Sequence, residues 1–130
     1  MTATGPDFLA LQVLDLEAAA QFFEQHLGLT RAPSGPPGAI VFTTSPIPFA
    51  VREPLPGVDL DAAAPRPGFG VAVWLAVEDA DALHERLVRA GVQILGVPSD
   101  SPFGRMVSFV GPEGYALTAH TAAPSGPTAP

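Results

Sequence analysis

An internal repeat constrains this chain more than any other feature of its sequence. The segment VLDLEA at residues 13–18 matches VEDADA at residues 77–82, an offset of 64 residues. In each copy, a stretch of alternating apolar residues runs into an aspartate that can cap a helix. Repetition of this kind indicates that one supersecondary unit is used twice. The sequence therefore predicts two modules in tandem.

The first module is predicted to be a β-α-β-β-β unit. Residues 8–13 (FLALQV) alternate with the period of a strand. In the following segment, DLEAAAQFFEQHLGL, Asp15 is a candidate N-cap and Gly28 a helix stop, and the apolar residues fall on one helical face. Three further strands are predicted, at residues 30–32, 39–44 and 48–53.

The second module repeats this order. The strand GVAVWLAV at residues 70–77 leads into a helix between Asp79 and Gly91, in which Leu83, Leu87 and Val88 are apolar. Three strands are predicted to follow, at residues 93–97, 105–110 and 115–120.

These elements divide the chain into four segments. The modules cover residues 1–54 and 69–120, and residues 55–68 are predicted to be a linker because Pro, Gly and Asp interrupt every period there. Residues 121–130 (TAAPSGPTAP) are predicted to be a disordered tail. The fold class is α+β. Each module leaves one sheet face without a helix, so we expect two modules to pair into a curved sheet trough with the helices outside.

Composition excludes several classes of function. The absence of cysteine rules out a disulfide scaffold and thiolate metal sites. The 13 acidic and 6 basic residues give a net charge of −7, which argues against nucleic acid as a partner because phosphate binding requires basic surface. No apolar run approaches the roughly 20 residues that a membrane span needs. The N-terminal MTATGPDF lacks the pattern of a signal peptide, so we expect a cytoplasmic protein.

Three motifs carry a family resemblance across residues 8–120. They are LxVxDLExxxxFFxxxLGL at residues 11–29, VEDADALHERLVRAG at residues 77–91 and PFGRxxxFxxPEG at residues 102–114. In this order and spacing, they resemble the vicinal oxygen chelate superfamily. That superfamily includes glyoxalase I, extradiol dioxygenases, fosfomycin-inactivating transferases and bleomycin-resistance proteins.

The resemblance also implies where a metal would bind. The four ligand positions of the metal-dependent members fall on Phe8, Ala50, Ala72 and Thr118. None of these offers the imidazole or carboxylate that a divalent cation needs in a chain without cysteine. Glu53 lies near Ala50, but a shifted alignment restores one ligand at most. We therefore expect no metal and no cofactor.

The histidines and acids suggest no catalytic residue. His26 and His84 fall in the two predicted helices and are expected at the surface. His120 ends the last strand on the trough side, where it either contacts a bound molecule or lies at the solvent edge. The sequence contains no paired carboxylates, nucleophile elbow or phosphate loop, and GFG at residues 68–70 lacks the spacing of a dinucleotide motif.

The only tryptophan marks a candidate binding surface. Alternation places Ala72, Trp74 and Ala76 on the trough face, where small neighbours leave room for a ligand to stack on the indole. Phe8 is expected to line the same trough. Phe103, in SPFGR, matches the aromatic of the loop that the resemblance assigns to ligand stacking. The structural alternatives are that Trp74 fills the core, Phe8 plugs a former metal site and Phe103 anchors its loop.

The leading hypothesis is a metal-free protein that sequesters a planar aromatic ligand such as an antibiotic. Trp74, Phe103 and Phe8 would provide apolar contacts, and four polar residues would orient the ligand: Arg52, Arg105, Gln12 and His120. One alternative is a metal-independent or degenerate enzyme, lyase- or dioxygenase-like, that uses His120 or an acid whose position the sequence does not give. The other is a structural or regulatory module without a small ligand. Enzymatic activity is thus not predicted.

Two further expectations concern packing and assembly. Phe22, Phe23 and Phe109 are assigned to the core. The resemblance implies a homodimer. A linker of roughly 15 residues is long enough to pass a module to a partner chain, so pairing within or between chains stays open.

Overall fold

Each half of the chain folds into one helix and one four-stranded mixed sheet. In the computed structural model, which describes residues 1–121, the chain divides into two compact units, residues 1–62 and residues 63 onward. The first unit consists of β1 (Leu9–Gln12), α1 (Leu16–Leu27), β2 (Thr30–Arg31), β3 (Ala39–Thr43) and β4 (Phe49–Arg52), followed by a 3₁₀ turn at Leu60–Ala62.

The second unit has the same order of elements. It consists of β5 (Trp74–Ala76), α2 (Ala80–Arg89), β6 (Ile94–Ser101), β7 (Gly104–Val110), a 3₁₀ turn at Pro112–Gly114 and β8 (Ala116–Thr121). Thr121 therefore ends a strand, and the rest of the predicted tail lies outside the described residues. Neither helix in residues 1–121 is long and apolar enough to span a membrane.

The two sheets have the same topology. Their strand orders are β1-β4-β3-β2 and β5-β8-β7-β6. In each, the first strand runs parallel to the last, and the remaining pairs are antiparallel. The predicted α+β fold of two tandem β-α-β-β-β modules is confirmed.

The strand boundaries in the structure differ most from the predicted ones at the start of the second module. β5 is only three residues long, although alternation predicts a strand over residues 70–77. The Val71 amide donates to the Gly68 carbonyl at 2.9 Å, so the glycine-rich segment forms a turn instead of a ladder, and Val71 remains exposed. β6 instead continues to Ser101, beyond the predicted end at residue 97, because it pairs with β7 up to their hairpin turn.

Both helices begin at the aspartates of the repeat. Asp15 Oδ1 accepts from the Ala18 amide and Asp79 Oδ1 accepts from the Ala82 amide, each at 3.0 Å. The predicted caps are therefore present in both modules. At the other end of α1, Gly28 adopts the left-handed conformation (φ 68°) that favours glycine.

An exposed ion-pair network ties β2 to α1. Arg31 bonds both oxygens of Glu17, at 2.9 and 3.1 Å, and those of Glu24, at 2.8 and 3.2 Å. The hydrogen bond with Glu17 is the largest cause that raises the pKa of Arg31, and the same bond lowers the pKa of the Glu17 carboxyl. The Arg31 guanidinium therefore pairs with both carboxylates where these are ionised. Because the three side chains are in part open to solvent, the pairs contribute little to the stability of the fold.

Each core forms between a helix and one face of its sheet. In the first unit, the Phe23 ring packs against Phe42 and Phe49, with ring centroids 5.9 and 5.0 Å apart. In the second, the fully buried side chains include Leu83, Leu87, Val107, Phe109 and Leu117. The core assignment is confirmed for Phe23 and Phe109, whereas Phe22 is only partly buried, against Phe23 and His26.

The paired caps give a stability prediction with an internal control. Asp15→Ala and Asp79→Ala should each lower the free energy of unfolding by about 1 kcal/mol, because each removes the acceptor of an otherwise unsatisfied helix amide. The Asp→Asn variants keep an accepting oxygen and should change it by less than about 0.5 kcal/mol. Urea denaturation measures both pairs. Equal stabilities of the Ala and Asn variants would contradict a capping role.

Candidate functional site

Strand register decides which side chains of the second sheet lie away from the core. Trp74 pairs with Thr118, and Ala76 pairs with His120. On β8, the intervening Leu117 and Ala119 are buried, while Thr121 Oγ1 bonds the Ala80 amide at the start of α2. That alternation defines a helix-free face of the sheet, opposite α2, formed by Trp74, Ala76, Met106, Ser108, Thr118 and His120.

Three rings meet on the helix-free face and are called the aromatic cluster here: Trp74, Phe103 and His120. The centroid of the indole is 6.1 Å from that of Phe103 and 5.4 Å from that of His120. The interplanar angles are 76° and 71°, so both contacts are edge-to-face and neither ring stacks parallel on the indole. Trp74 and Phe103 are partly exposed. The register places Trp74 and the small Ala76 on the same face of the sheet, as the alternation of residues predicts.

Phe103 is placed by the tight turn between β6 and β7. Ser101 and Gly104 pair across the hairpin, and Gly104 has a φ of 105°, a conformation that favours glycine. The Ser101 hydroxyl donates to the Gly104 carbonyl at 2.7 Å and accepts from the Phe103 amide at 3.2 Å. The serine side chain therefore holds the backbone of the turn and, with it, the start of the Phe103 side chain.

His120 joins this turn to β8. Its side chain is 1% exposed, and Nδ1 lies 2.8 Å from the Phe103 carbonyl oxygen. A carbonyl can only accept, so Nδ1 carries the proton and donates. Among the described residues, Nε2 is buried and has no hydrogen-bond partner. A strand-end histidine at the solvent edge, the other interpretation of the sequence, is excluded by this burial.

A pair of hydroxyls lies beside the cluster. Ser108 and Thr118 pair across β7 and β8, and their hydroxyl oxygens are 2.8 Å apart. Thr118 is also the ladder partner of Trp74. Sequence reasoning missed Ser108 and Met106 because only the register of β7 against β8 shows that they share a face with the indole.

Three predicted ligand contacts belong to the first unit. Gln12 and Arg52 are ladder partners on β1 and β4. Gln12 Oε1 accepts from the Leu55 amide at 2.7 Å, and Arg52 Nε donates to the Glu53 carbonyl at 3.0 Å. Phe8 precedes β1 and is 54% exposed. These contacts give Gln12 and Arg52 roles in positioning the chain that leaves β4.

Arg105 does not lie on the helix-free face. It follows the hairpin turn one residue before Met106, so alternation turns its side chain toward α2. There, its guanidinium pairs with Asp81 at 3.2 Å and with Asp100 at 3.3 Å. The hydrogen bond to Asp81 raises the pKa of Arg105. Of the seven predicted contacts, the structure thus brings together Trp74, Phe103 and His120.

Most of the chain matches one known protein family. A model of the Glyoxalase/Bleomycin resistance protein/Dioxygenase superfamily matches residues 5–118. The chain belongs to this superfamily. A search of curated protein sequences returned no significant match.

Several solved structures share this fold. TnmS3, an antibiotic binding protein from Streptomyces sp. CB03234, is 20% identical, with a TM-score of 0.72 over 95% of this chain and 99% of that chain. A glyoxalase/bleomycin resistance protein/dioxygenase from Nocardioides is 29% identical, with a TM-score of 0.65 over 99% and 91%. A domain of this type from Frankia sp. EAN1pec is 22% identical, with a TM-score of 0.68 over 95% and 96%.

The side chains present do not fit the metal site of the superfamily's metal-dependent members. At the four positions implied by the resemblance, Ala50 lies within β4 and Thr118 within β8, whereas Phe8 and Ala72 precede β1 and β5. The one heteroatom among their side chains, the Thr118 hydroxyl, is hydrogen-bonded to Ser108. Within residues 1–121, no group of three or more histidine, aspartate or glutamate side chains could hold a metal ion.

The two faces of the second sheet predict different costs of truncation. Phe109→Ala removes a fully buried ring between the sheet and α2 and should lower the free energy of unfolding by about 3–5 kcal/mol. Trp74→Ala removes a partly exposed ring from the helix-free face, so its cost should be about half as large or less. Urea denaturation of both variants measures the difference. Equal losses would show that Trp74 is core.

Proposed function

We propose that this protein sequesters a planar aromatic small molecule, such as an antibiotic, at the helix-free face of its second module and needs no metal to do so. The observation that carries the proposal is the aromatic cluster. A partly exposed indole beside an alanine offers a large flat apolar surface on a rigid strand. Phe103, on the adjacent turn, provides a second ring at an angle of 76° to the first.

The chemistry around the cluster favours binding over catalysis. Among the described residues, the imidazole of His120 contacts the Trp74 ring and the Phe103 backbone carbonyl, and the strand residue paired with it on β7 is Met106. None of these is an acid or a nucleophile that would complete a general acid–base pair with the imidazole. Apolar walls with a few polar groups are instead typical of small-molecule binding sites.

Two independent facts bear on the ligand class. A protein of similar fold, TnmS3, is an antibiotic binding protein, which is a precedent for sequestration on this architecture. The net charge of −7 favours cationic over anionic ligands by long-range attraction. We therefore expect planar cations to associate faster than planar anions of similar size, with a difference that salt reduces.

The first test uses the only tryptophan as both probe and binding residue. Acridine orange, a planar cation, and anthraquinone-2-sulfonate, a planar anion, are titrated while indole fluorescence is followed, and calorimetry confirms each affinity. Stacking should quench the emission. Trp74→Ala and Phe103→Ala should each weaken binding by about 1–3 kcal/mol, roughly 5- to 150-fold.

Phe22→Ala is the matched control because it removes a partly exposed ring from α1 in the first module. It should leave the affinities unchanged. A folded Trp74→Ala protein with wild-type affinity for every compound that binds would refute this position of the binding surface.

The second test concerns metal. Protein purified without chelator should contain less than about 0.1 equivalent of zinc, nickel, iron or manganese by elemental analysis, since the residues at the four implied positions include no imidazole or carboxylate. Addition of EDTA should leave the thermal midpoint and the ligand affinities unchanged. One equivalent of tightly bound metal, together with destabilisation by EDTA, would overturn the metal-free state.

A further inference from the structure

Of the two imidazole nitrogens of His120, one is hydrogen-bonded and the other has no partner among residues 1–121. Nδ1 donates to the Phe103 carbonyl, so Nε2 of the neutral ring carries only a lone pair and is a hydrogen-bond acceptor. Nε2 is buried without a hydrogen-bond partner in the described part of the chain. A buried acceptor left unpaired is costly, and native proteins contain few of them.

Neighbouring polar groups on the same face do not supply the missing donor. The hydroxyls of Ser108 and Thr118 bind each other at 2.8 Å. Met106, the ladder partner of His120 on β7, carries no N–H or O–H in its side chain. The indole lies edge-to-face with the imidazole, its centroid 5.4 Å away, and makes no hydrogen bond to Nε2.

We infer that Nε2 of His120 accepts a hydrogen bond from a hydroxyl on the ligand, so that the preferred ligands are planar aromatics with a phenolic O–H. This inference rests on the proposed function and specifies its ligand class. The imidazole contacts the indole, with ring centroids 5.4 Å apart, so its unpaired nitrogen belongs to the same cluster as the ring on which the ligand would stack. A phenol is a ring that carries its donor at the edge, in the plane of the ring, where such an acceptor can meet it.

Access to Nε2 requires movement of a neighbouring ring, since His120 is only 1% exposed. The Trp74 ring contacts the imidazole, the Phe103 ring contacts the indole in turn, and both rings are partly exposed. The backbone of Phe103 is held by Ser101 Oγ and by His120 Nδ1. Rotation of either ring would leave the hydrogen bond that orients the imidazole intact, because the acceptor of that bond is a backbone carbonyl.

The test compares 2-naphthol with 2-methoxynaphthalene, which has the same ring but no donor. The wild-type protein should bind 2-naphthol about tenfold more tightly, the effect of one hydrogen bond to a site that otherwise leaves an acceptor unpaired. His120→Asn places an amide N–H where Nδ1 stood and removes Nε2. It should abolish the tenfold preference, so that the ratio of the two affinities, as measured by calorimetry, falls to about one.

His120→Gln is the complementary variant because its amide reaches the position of Nε2 rather than that of Nδ1. It should retain more of the preference for 2-naphthol than His120→Asn does. A preference that persists undiminished in His120→Asn, or equal wild-type affinities for the two compounds, would overturn the inference while leaving the proposed function in place. Failure of every aromatic compound to bind the wild type would overturn both.

Nitrogen NMR of the free protein tests the premise without any ligand or substitution at the site. His120 should give a protonated Nδ1 and an unprotonated Nε2, with assignments made from His26→Gln and His84→Gln. Addition of 2-naphthol should shift the Nε2 resonance of His120 and leave those of the helix histidines unchanged. The opposite tautomer, with the proton on Nε2, would refute the inference even if His120→Asn failed to fold.

Discussion

The parallel pairing of β5 with β8 is the constraint on which the candidate site depends. It places Trp74 opposite Thr118 and Ala76 opposite His120, so that an indole, a methyl, a hydroxyl and an imidazole share one face of the second sheet. A shift of one residue in this register would turn the indole toward α2 and expose Leu75 in its place. β5 is only three residues long. Hydrogen bonds to β8 flank both of its ends: the Thr118 amide donates to the Val73 carbonyl, and the Val77 amide donates to the His120 carbonyl.

A single hydrogen bond then connects this face to the β6–β7 turn. Because His120 Nδ1 donates to the Phe103 carbonyl, the position of the turn, the tautomer of the imidazole and the direction of its second nitrogen are determined together. Ser101 completes the arrangement from within the turn. The aromatic cluster is thus assembled from β5, β8 and the β6–β7 turn. Through the hydrogen bond from His120 to Phe103, the orientation of the imidazole and the position of the turn depend on each other.

The two modules share a backbone plan but differ in the chemistry of their helix-free faces. The repeat offset of 64 relates Ala10 to Trp74; the ladder partner of Ala10 on β4 is Ala50, and that of Trp74 on β8 is Thr118. Small aliphatic side chains therefore occupy one module where an indole and a hydroxyl occupy the other. The N-cap of the helix, by contrast, is an aspartate in both modules. The two modules thus start their helices in the same way and differ in the side chains of their helix-free faces.

Local signals in the sequence were sufficient for the fold class, the two helices with their caps at Asp15 and Asp79, and the face on which Trp74 lies. These features depend on periodicity and on contacts within a few residues, both of which a sequence displays directly. Two outcomes depended on the tertiary structure: the ion pair that holds Arg105 against α2, and the burial of His120 with an Nε2 that no described residue pairs. Each arises from residues far apart in the chain, such as Arg105 with Asp81 or His120 with Phe103. Their partners are set by strand register and helix packing, and neither is determined by local sequence alone.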